Sequence, residues 1–238
     1  MQIQVISSVN EASSTRFHHK TAIIVDVLRA GSTIVTALAA GAAAIIPVET
    51  VMEAKAAQQP GDLLGGERFC RKIAGFDLGN SPSEYDHAAV SNRRIILTTT
   101  NGTRALQKAA RADYVLTAAL LNATASAQAA AALRRDIVIL CAGYNDEFAA
   151  EDGFCAGLLL DRLQLAGPAP VELDDFGLAM LAFYRNRSSY ALETLASGVT
   201  GKRLAKIGLQ RDIEACAPID LYKEVPQLLG GMLTRMPI

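Results

Sequence analysis

The sequence predicts an α/β fold, a layered α/β/α arrangement with a largely parallel or mixed sheet and a helical C-terminal part. Two observations carry this. Short, continuous apolar runs rich in β-branched residues, such as TAIIVDV at 21–27 and DIVILC at 136–141, read as strands buried on both faces. Between them lie segments of helical length, so strand and helix alternate along the chain as in a parallel sheet covered by helices. A single domain over residues 1–238 is expected, with a smaller lobe from about residue 167 as the alternative.

Ile3 to Ile6 forms a short first strand and Thr21 to Val27 the second. Ser32 to Ala40 is helical, with Ser32 or Thr33 at its start and Gly41 just past its end. Ala44 to Val48 is a strand, and Met52 to Gln59 a helix stopped by Pro60. Ile95 to Thr99 is a buried strand leading through Asn101-Gly102-Thr103 into a helix from about Arg104 to Ala110. Tyr114 to Thr117 is a strand, Asn122 to Leu133 an alanine-rich helix, and Asp136 to Cys141 another strand before a helix from about Glu151 to Leu165. Beyond Gly167 the prolines at 168 and 170 mark a connection, and Leu173 to Tyr184 and Tyr190 to Leu195 are helical. The stretch from Gly208 to Pro226 is mixed, and the apolar residues Leu228 to Leu233 are expected to cover the sheet or a partner subunit.

Composition removes several functions. The 238 residues carry 23 Lys plus Arg against 24 Asp plus Glu, a net charge of −1, so a broad nucleic-acid or anionic-membrane surface is not expected. The 41 alanines suit close helix packing and say little about function. The first residues show no basic region followed by an apolar stretch, and the run from Ile34 to Val48 is too short to span a bilayer. Cys70, Cys141, Cys155 and Cys216 are scattered, three of them in segments that read as buried or semi-buried, as free thiols in a cytoplasmic protein would be.

In an open α/β sheet, ligands bind beyond the carboxyl ends of the strands. Three polar loops fall there: Asp26-Val27-Leu28-Arg29-Ala30-Gly31-Ser32-Thr33, Thr98 to Thr103, and Cys141 to Asp146 leading to Glu151-Asp152. Ser32-Thr33 and Gly102-Thr103 would offer N–H groups and hydroxyls at helix starts to a phosphate or sulfonate. Arg29 would add a bidentate fork. Any one of these loops alone is better explained as helix capping; their recurrence in equivalent positions favours a shared site. The carboxylates Asp26, Glu67, Glu151 and Asp152 together suit Mg²⁺, although Glu151-Asp152 would also complement a helix dipole. The turn-rich connection Gly65 to Tyr85 is long enough to be a functional loop, in which Glu67 and Asn80 would face a substrate, or else a lid or dimer contact.

If the ligand is a phosphate ester, several phosphatase chemistries are excluded. The sixth residues after the four cysteines are Phe76, Glu147, Asp161 and Tyr222, so no Cys-x₅-Arg exists. Leu28 stands two residues after Asp26, so that strand carries no Asp-x-Asp. His18, His19 and His87 are too few for a histidine-rich binuclear centre. The common nucleotide-binding glycine motifs are also absent. Carboxylates, an arginine and magnesium are what remain.

The segments DVLRA-x-ST at 26–33, GER at 66–68, GFDLGNSP at 75–82, TTNGTR at 99–104 and CAG at 141–143 with Glu151-Asp152 resemble the 2-phosphosulfolactate phosphatase (ComB-like) family. A weaker likeness continues through Ser197–Leu204, Gly208, Asp212–Cys216, Asp220 and Val225-Pro226. The resemblance implies an α/β enzyme that hydrolyses 2-phospho-3-sulfolactate to 3-sulfolactate and phosphate with Mg²⁺, on a route to coenzyme M. It carries over Asp26, Arg29, Ser32, Thr33, Glu67, Asn80, Asn101, Gly102, Thr103, Asn145, Glu151 and Asp152. By their chemistry Asp26, Glu67 and Glu151 are the candidate Mg²⁺ ligands and Asp26 and Asp152 the candidate catalytic residues, with the choice between ligand and base left open among these carboxylates, and the others form the substrate-binding set. Gly31 stands where a larger residue such as Thr is expected, and Thr200 where His is expected. Hydrolysis of another small phospho-2-hydroxy acid and non-catalytic binding of a phosphorylated metabolite are the alternatives. The protein is expected to be cytoplasmic and homodimeric.

Overall fold

The computed structural model describes residues 1–166 and 171–237. The first half runs β1 (Gln2–Ile6), β2 (Thr21–Val25), α1 (Ala30–Ala39), β3 (Ala44–Val48), α2 (Val51–Ala57), β4 (Leu63–Arg68), β5 (Arg71–Lys72), α3 (His87–Val90) and β6 (Arg94–Thr98). It continues with α4 (Gly102–Lys108), β7 (Tyr114–Ala118), α5 (Ala123–Ala132), β8 (Ile137–Cys141) and α6 (Ala150–Ala166). The last part holds β9 (Glu172–Leu173), α7 (Asp175–Arg187), α8 (Ala191–Ser197), α9 (Val199–Lys206), α10 (Gln210–Cys216), β10 (Pro226–Leu229) and β11 (Met232–Arg235). The connection expected at Gly167 to Pro170 lies outside the described residues.

All strands join one mixed sheet in the order β5-β4-β6-β3-β11-β10-β7-β2-β8-β1-β9. β4, β6 and β3 pair in parallel, as do β7, β2, β8, β1 and β9. The β10–β11 hairpin joins these blocks, meeting β7 through Gln227–Leu116 and β3 through Leu233–Ile45, both antiparallel. The expectation that Leu228–Leu233 covers the sheet or a partner is therefore corrected: these residues turn at Gly230-Gly231, both at positive φ, and enter the sheet as strands. The connection 65–85 is likewise part strand, because β4 runs to Arg68.

Burial on both faces explains the unbroken apolar runs. On β2, Ile23 and Val25 face a core shared with α5, α6 and α7, while Ala22 and Ile24 face a second core. In that second core Ile24 and Leu140 of one block meet Ile45, Ile95 and Leu97 of the other, with Ile34 and Leu38 of α1 and Leu106 of α4. The antiparallel steps through the hairpin reverse strand sense between the blocks, and the shared core shows that the blocks fold toward each other around α1 and α4. Each fully buried Ile or Leu contributes about 1.5–3 kcal/mol. The arrangement brings the loops after β2, β6 and β8 together although β2 and β6 are far apart in strand order. Among the described residues no helix is long and apolar enough to cross a membrane.

Candidate active site

Strand β2 stops at Val25, two residues earlier than its apolar pattern suggests, because the backbone turns at Asp26. The Asp26 carbonyl accepts the Gly31 N–H at 2.7 Å, and its Oδ1 accepts the Ala30 N–H at 3.1 Å. A Cβ at Gly31 would lie 2.6 Å from the Asp26 carbonyl oxygen and 3.0 Å from that of Ala118. Glycine is what this turn accommodates, which gives the departure at position 31 a local cause. Gly102 opens α4 against the same carboxylate: a Cβ there would lie 2.6 Å from Asp26 Oδ2 and 2.7 Å from the Ala30 Cβ.

The remaining carboxylates differ in how their oxygens are used. Asp152, in the first turn of α6, accepts the Val27 N–H at 2.8 Å on Oδ1 and the Gly143 N–H at 2.9 Å on Oδ2. It thereby clamps the loops after β2 and β8, and both its oxygens are taken. Glu67, at the end of β4, accepts the Cys70 N–H at 2.7 Å on Oε2, and the Thr100 N–H and hydroxyl at 2.9 Å on Oε1. Glu151 is buried, with the Thr200 hydroxyl beside its carboxylate. Neither Glu151 Oε2 nor Thr200 Oγ1 makes a hydrogen bond within the protein.

Arg29 is buried and donates from Nη1 to Asp212 Oδ2 at 2.5 Å and from Nη2 to the Cys70 carbonyl at 2.8 Å. The other Asp212 oxygen accepts the Ser81 hydroxyl at 2.5 Å, so α10 is tied to the start of α1 and to the loop after β5. The hydroxyls expected to catch an anion are turned inward. Ser32 donates to the Val27 carbonyl at 2.8 Å, Thr33 to that of Asn80 at 3.0 Å, and Thr103 to that of Thr99 at 3.0 Å. All three residues are sealed from solvent and brace the loops.

What the loops enclose is a polar cavity of about 230 Å³. Of the residues singled out in the sequence, Asp26, Arg29, Glu67, Asn80, Asn101 and Asn145 line it; Ser32, Thr33, Gly102, Thr103, Glu151 and Asp152 do not. Asn101 donates to the Gly143 carbonyl at 2.9 Å, while the buried Asn80 Oδ1 has no partner. Tyr144 comes from a loop the sequence assigns to the site, whereas sequence reasoning missed Cys70 and Arg203 as wall residues and Asp212 as the partner of Arg29. The only sequence signal for the last two was the weaker family likeness around α9 and α10.

Electrostatically the site is a crowd of carboxylates. Burial, helped by the charges of Glu67 and Glu151 and opposed by the Ala30 N–H and Arg29, pushes Asp26 up to about 7. Burial, then the charges of Asp26 and Glu151, raises Asp152 well above the usual range, and burial raises Glu151. Among the described residues no three His, Cys, Asp or Glu side chains are arranged to hold a metal ion, so Asp26, Glu67 and Glu151 do not form a ready cage. Mg²⁺ needs less: one or two carboxylates with waters and a substrate phosphate suffice. Asp26, with the unpartnered Oε2 of Glu151 nearby, fits that requirement in donor type and charge.

The family profile described as 2-phosphosulpholactate phosphatase matches residues 6–231. A probable 2-phosphosulfolactate phosphatase of Symbiobacterium thermophilum is 40% identical over 230 residues, covering 94% of this chain and 98% of that one. One from Thermotoga petrophila is 39% identical over 213 residues, 90% of this chain and 91% of its own, and one from Caldanaerobacter subterraneus is 37% identical, covering 98% of both. With the cavity walls drawn from the segments that carry the resemblance, the chain belongs to the 2-phosphosulfolactate phosphatase family, enzymes that hydrolyse a phosphoric monoester.

Proposed function

We propose that the protein hydrolyses 2-phospho-3-sulfolactate to 3-sulfolactate and phosphate, with Mg²⁺ as cofactor and the cytoplasm as its location. The observation that carries the reading is Asp26. It is a cavity-lining carboxylate with one oxygen held by the Ala30 N–H, whereas the oxygens of Glu67 and Asp152 are all occupied by protein donors. The cavity lies below the range of about 300–1,000 Å³ typical of sites for drug-sized ligands, a size that suits a three-carbon phosphoester.

Mg²⁺ would be held by Asp26 with Glu151; when bound it offsets charge on the transferring phosphoryl group and activates water. Arg29, pre-oriented by Asp212 and the Cys70 carbonyl, presents the rest of its fork to the phosphate. Asp152 holds the Val27 and Gly143 loops, and Glu67 holds Thr100, so the walls are fixed before substrate arrives. Asp26, whose carboxyl burial pushes up to about 7, would have to be ionised to serve as a ligand to the ion. The test is phosphate release from 2-phosphosulfolactate and from a panel of phospho-2-hydroxy acids, with Mg²⁺ or with EDTA. Metal-dependent release fastest from 2-phosphosulfolactate is expected; no release from any member refutes the phosphatase reading.

A further inference from the structure

The charges around the cavity do not all remain available to a ligand. Its charged wall residues are Asp26, Glu67, Arg29 and Arg203. Arg29 is neutralised by the buried Asp212 beside it. Arg203, on α9, is exposed and makes no hydrogen bond or ion pair among the described residues, while its charge is felt at Cys70 inside the cavity. It is thus the uncompensated cation in a wall that otherwise carries excess negative charge. Thr200, one helical turn earlier, lines the same cavity, with its hydroxyl beside the Glu151 carboxylate, so this face of α9 is turned toward the cavity.

Two carboxylates in the wall would repel a multiply charged phosphoester. A divalent ion at Asp26 offsets this at the phosphate end only. Resting on the phosphoester reading of the cavity, we propose that Arg203 is a specificity-determining residue that grips the anion not being cleaved, the carboxylate or sulfonate at the far end of the substrate. The guanidinium fork matches either group through paired N–H donors. Helix α9 reaches the cavity from the C-terminal third of the chain, so this contact is built separately from the loops that hold the phosphate.

The test is calorimetric titration of the Mg²⁺-loaded protein with 3-sulfolactate and, separately, with inorganic phosphate. R203Q is expected to weaken 3-sulfolactate binding about 10- to 100-fold, the scale of one charge-assisted contact, and to change phosphate binding less than about twofold. R203K, which keeps the charge and loses the fork, should fall between. Because Arg203 supports no other residue, the melting temperature should not change. Unaltered 3-sulfolactate affinity in R203Q, equal losses for both ligands, or no 3-sulfolactate binding by the unsubstituted protein would each overturn the proposal. The binding comparison is read without turnover: protein that binds 3-sulfolactate through Arg203 but releases no phosphate would refute the phosphatase reading alone.

Discussion

Asp26 is where the chemistry and the cost of assembling it meet. Asp26→Asn keeps the size of the side chain and removes its charge, so the loop should fold as before. Phosphate release should then drop about 10²–10³-fold, the scale of losing one electrostatic contact to the reacting group. Near-normal kinetics would take Asp26 out of the mechanism. The same carboxyl makes stability depend on pH. Its value rises from 3.8 to about 7 on folding, chiefly through burial, so the native state binds the proton more tightly than the unfolded chain. The contribution of Asp26 to the stability of the metal-free protein should therefore be full below pH 4, be lost as pH rises from about 4 to 7, and level off beyond. Asp26→Asn should flatten that slope in urea titrations across the window. Mg²⁺ should restore stability most above pH 7, where the carboxylate is ionised.

A buried ion pair ties α10 to the start of α1. The Arg29 and Asp212 side chains are 4% and 5% exposed, so Asp212→Asn leaves a buried guanidinium without its counter-charge. A loss of about 3–5 kcal/mol is expected in urea unfolding, with weakened phosphate binding. Asp146→Asn, which breaks the exposed Arg104 pair, should cost no more than about 1 kcal/mol. Elements such as β2, β8 and α6 are legible in the sequence because local pattern and tertiary burial agree there. The strands β10 and β11 are not, since an apolar stretch read alone has no partner to give it a register. The site divides similarly. Asp26, Arg29 and Glu67 are legible as loop residues at strand ends, whereas Ser32 and Thr33 look identical in sequence whether their hydroxyls face a ligand or a neighbouring carbonyl. Asp212 and Arg203 enter from helices more than 170 residues beyond Arg29, a proximity that only the packed structure reveals.

For the molecule as a whole, the β10–β11 hairpin is the join between two parallel blocks, and each of its seams has one ladder pair in register. Removing residues 226–238 should leave secondary structure by far-ultraviolet circular dichroism but abolish the near-ultraviolet signal and protease resistance; a truncated chain that retains both would show that the blocks hold together through the core alone. The hairpin follows every other strand in the chain. As the polypeptide is synthesised, the inner edges of β3 and β7 are therefore made early and stay open until last. Open edges are templates for pairing with other chains. The growing protein thus carries two temporarily sticky borders, and how quickly the final hairpin docks between them sets its exposure to intermolecular misassembly.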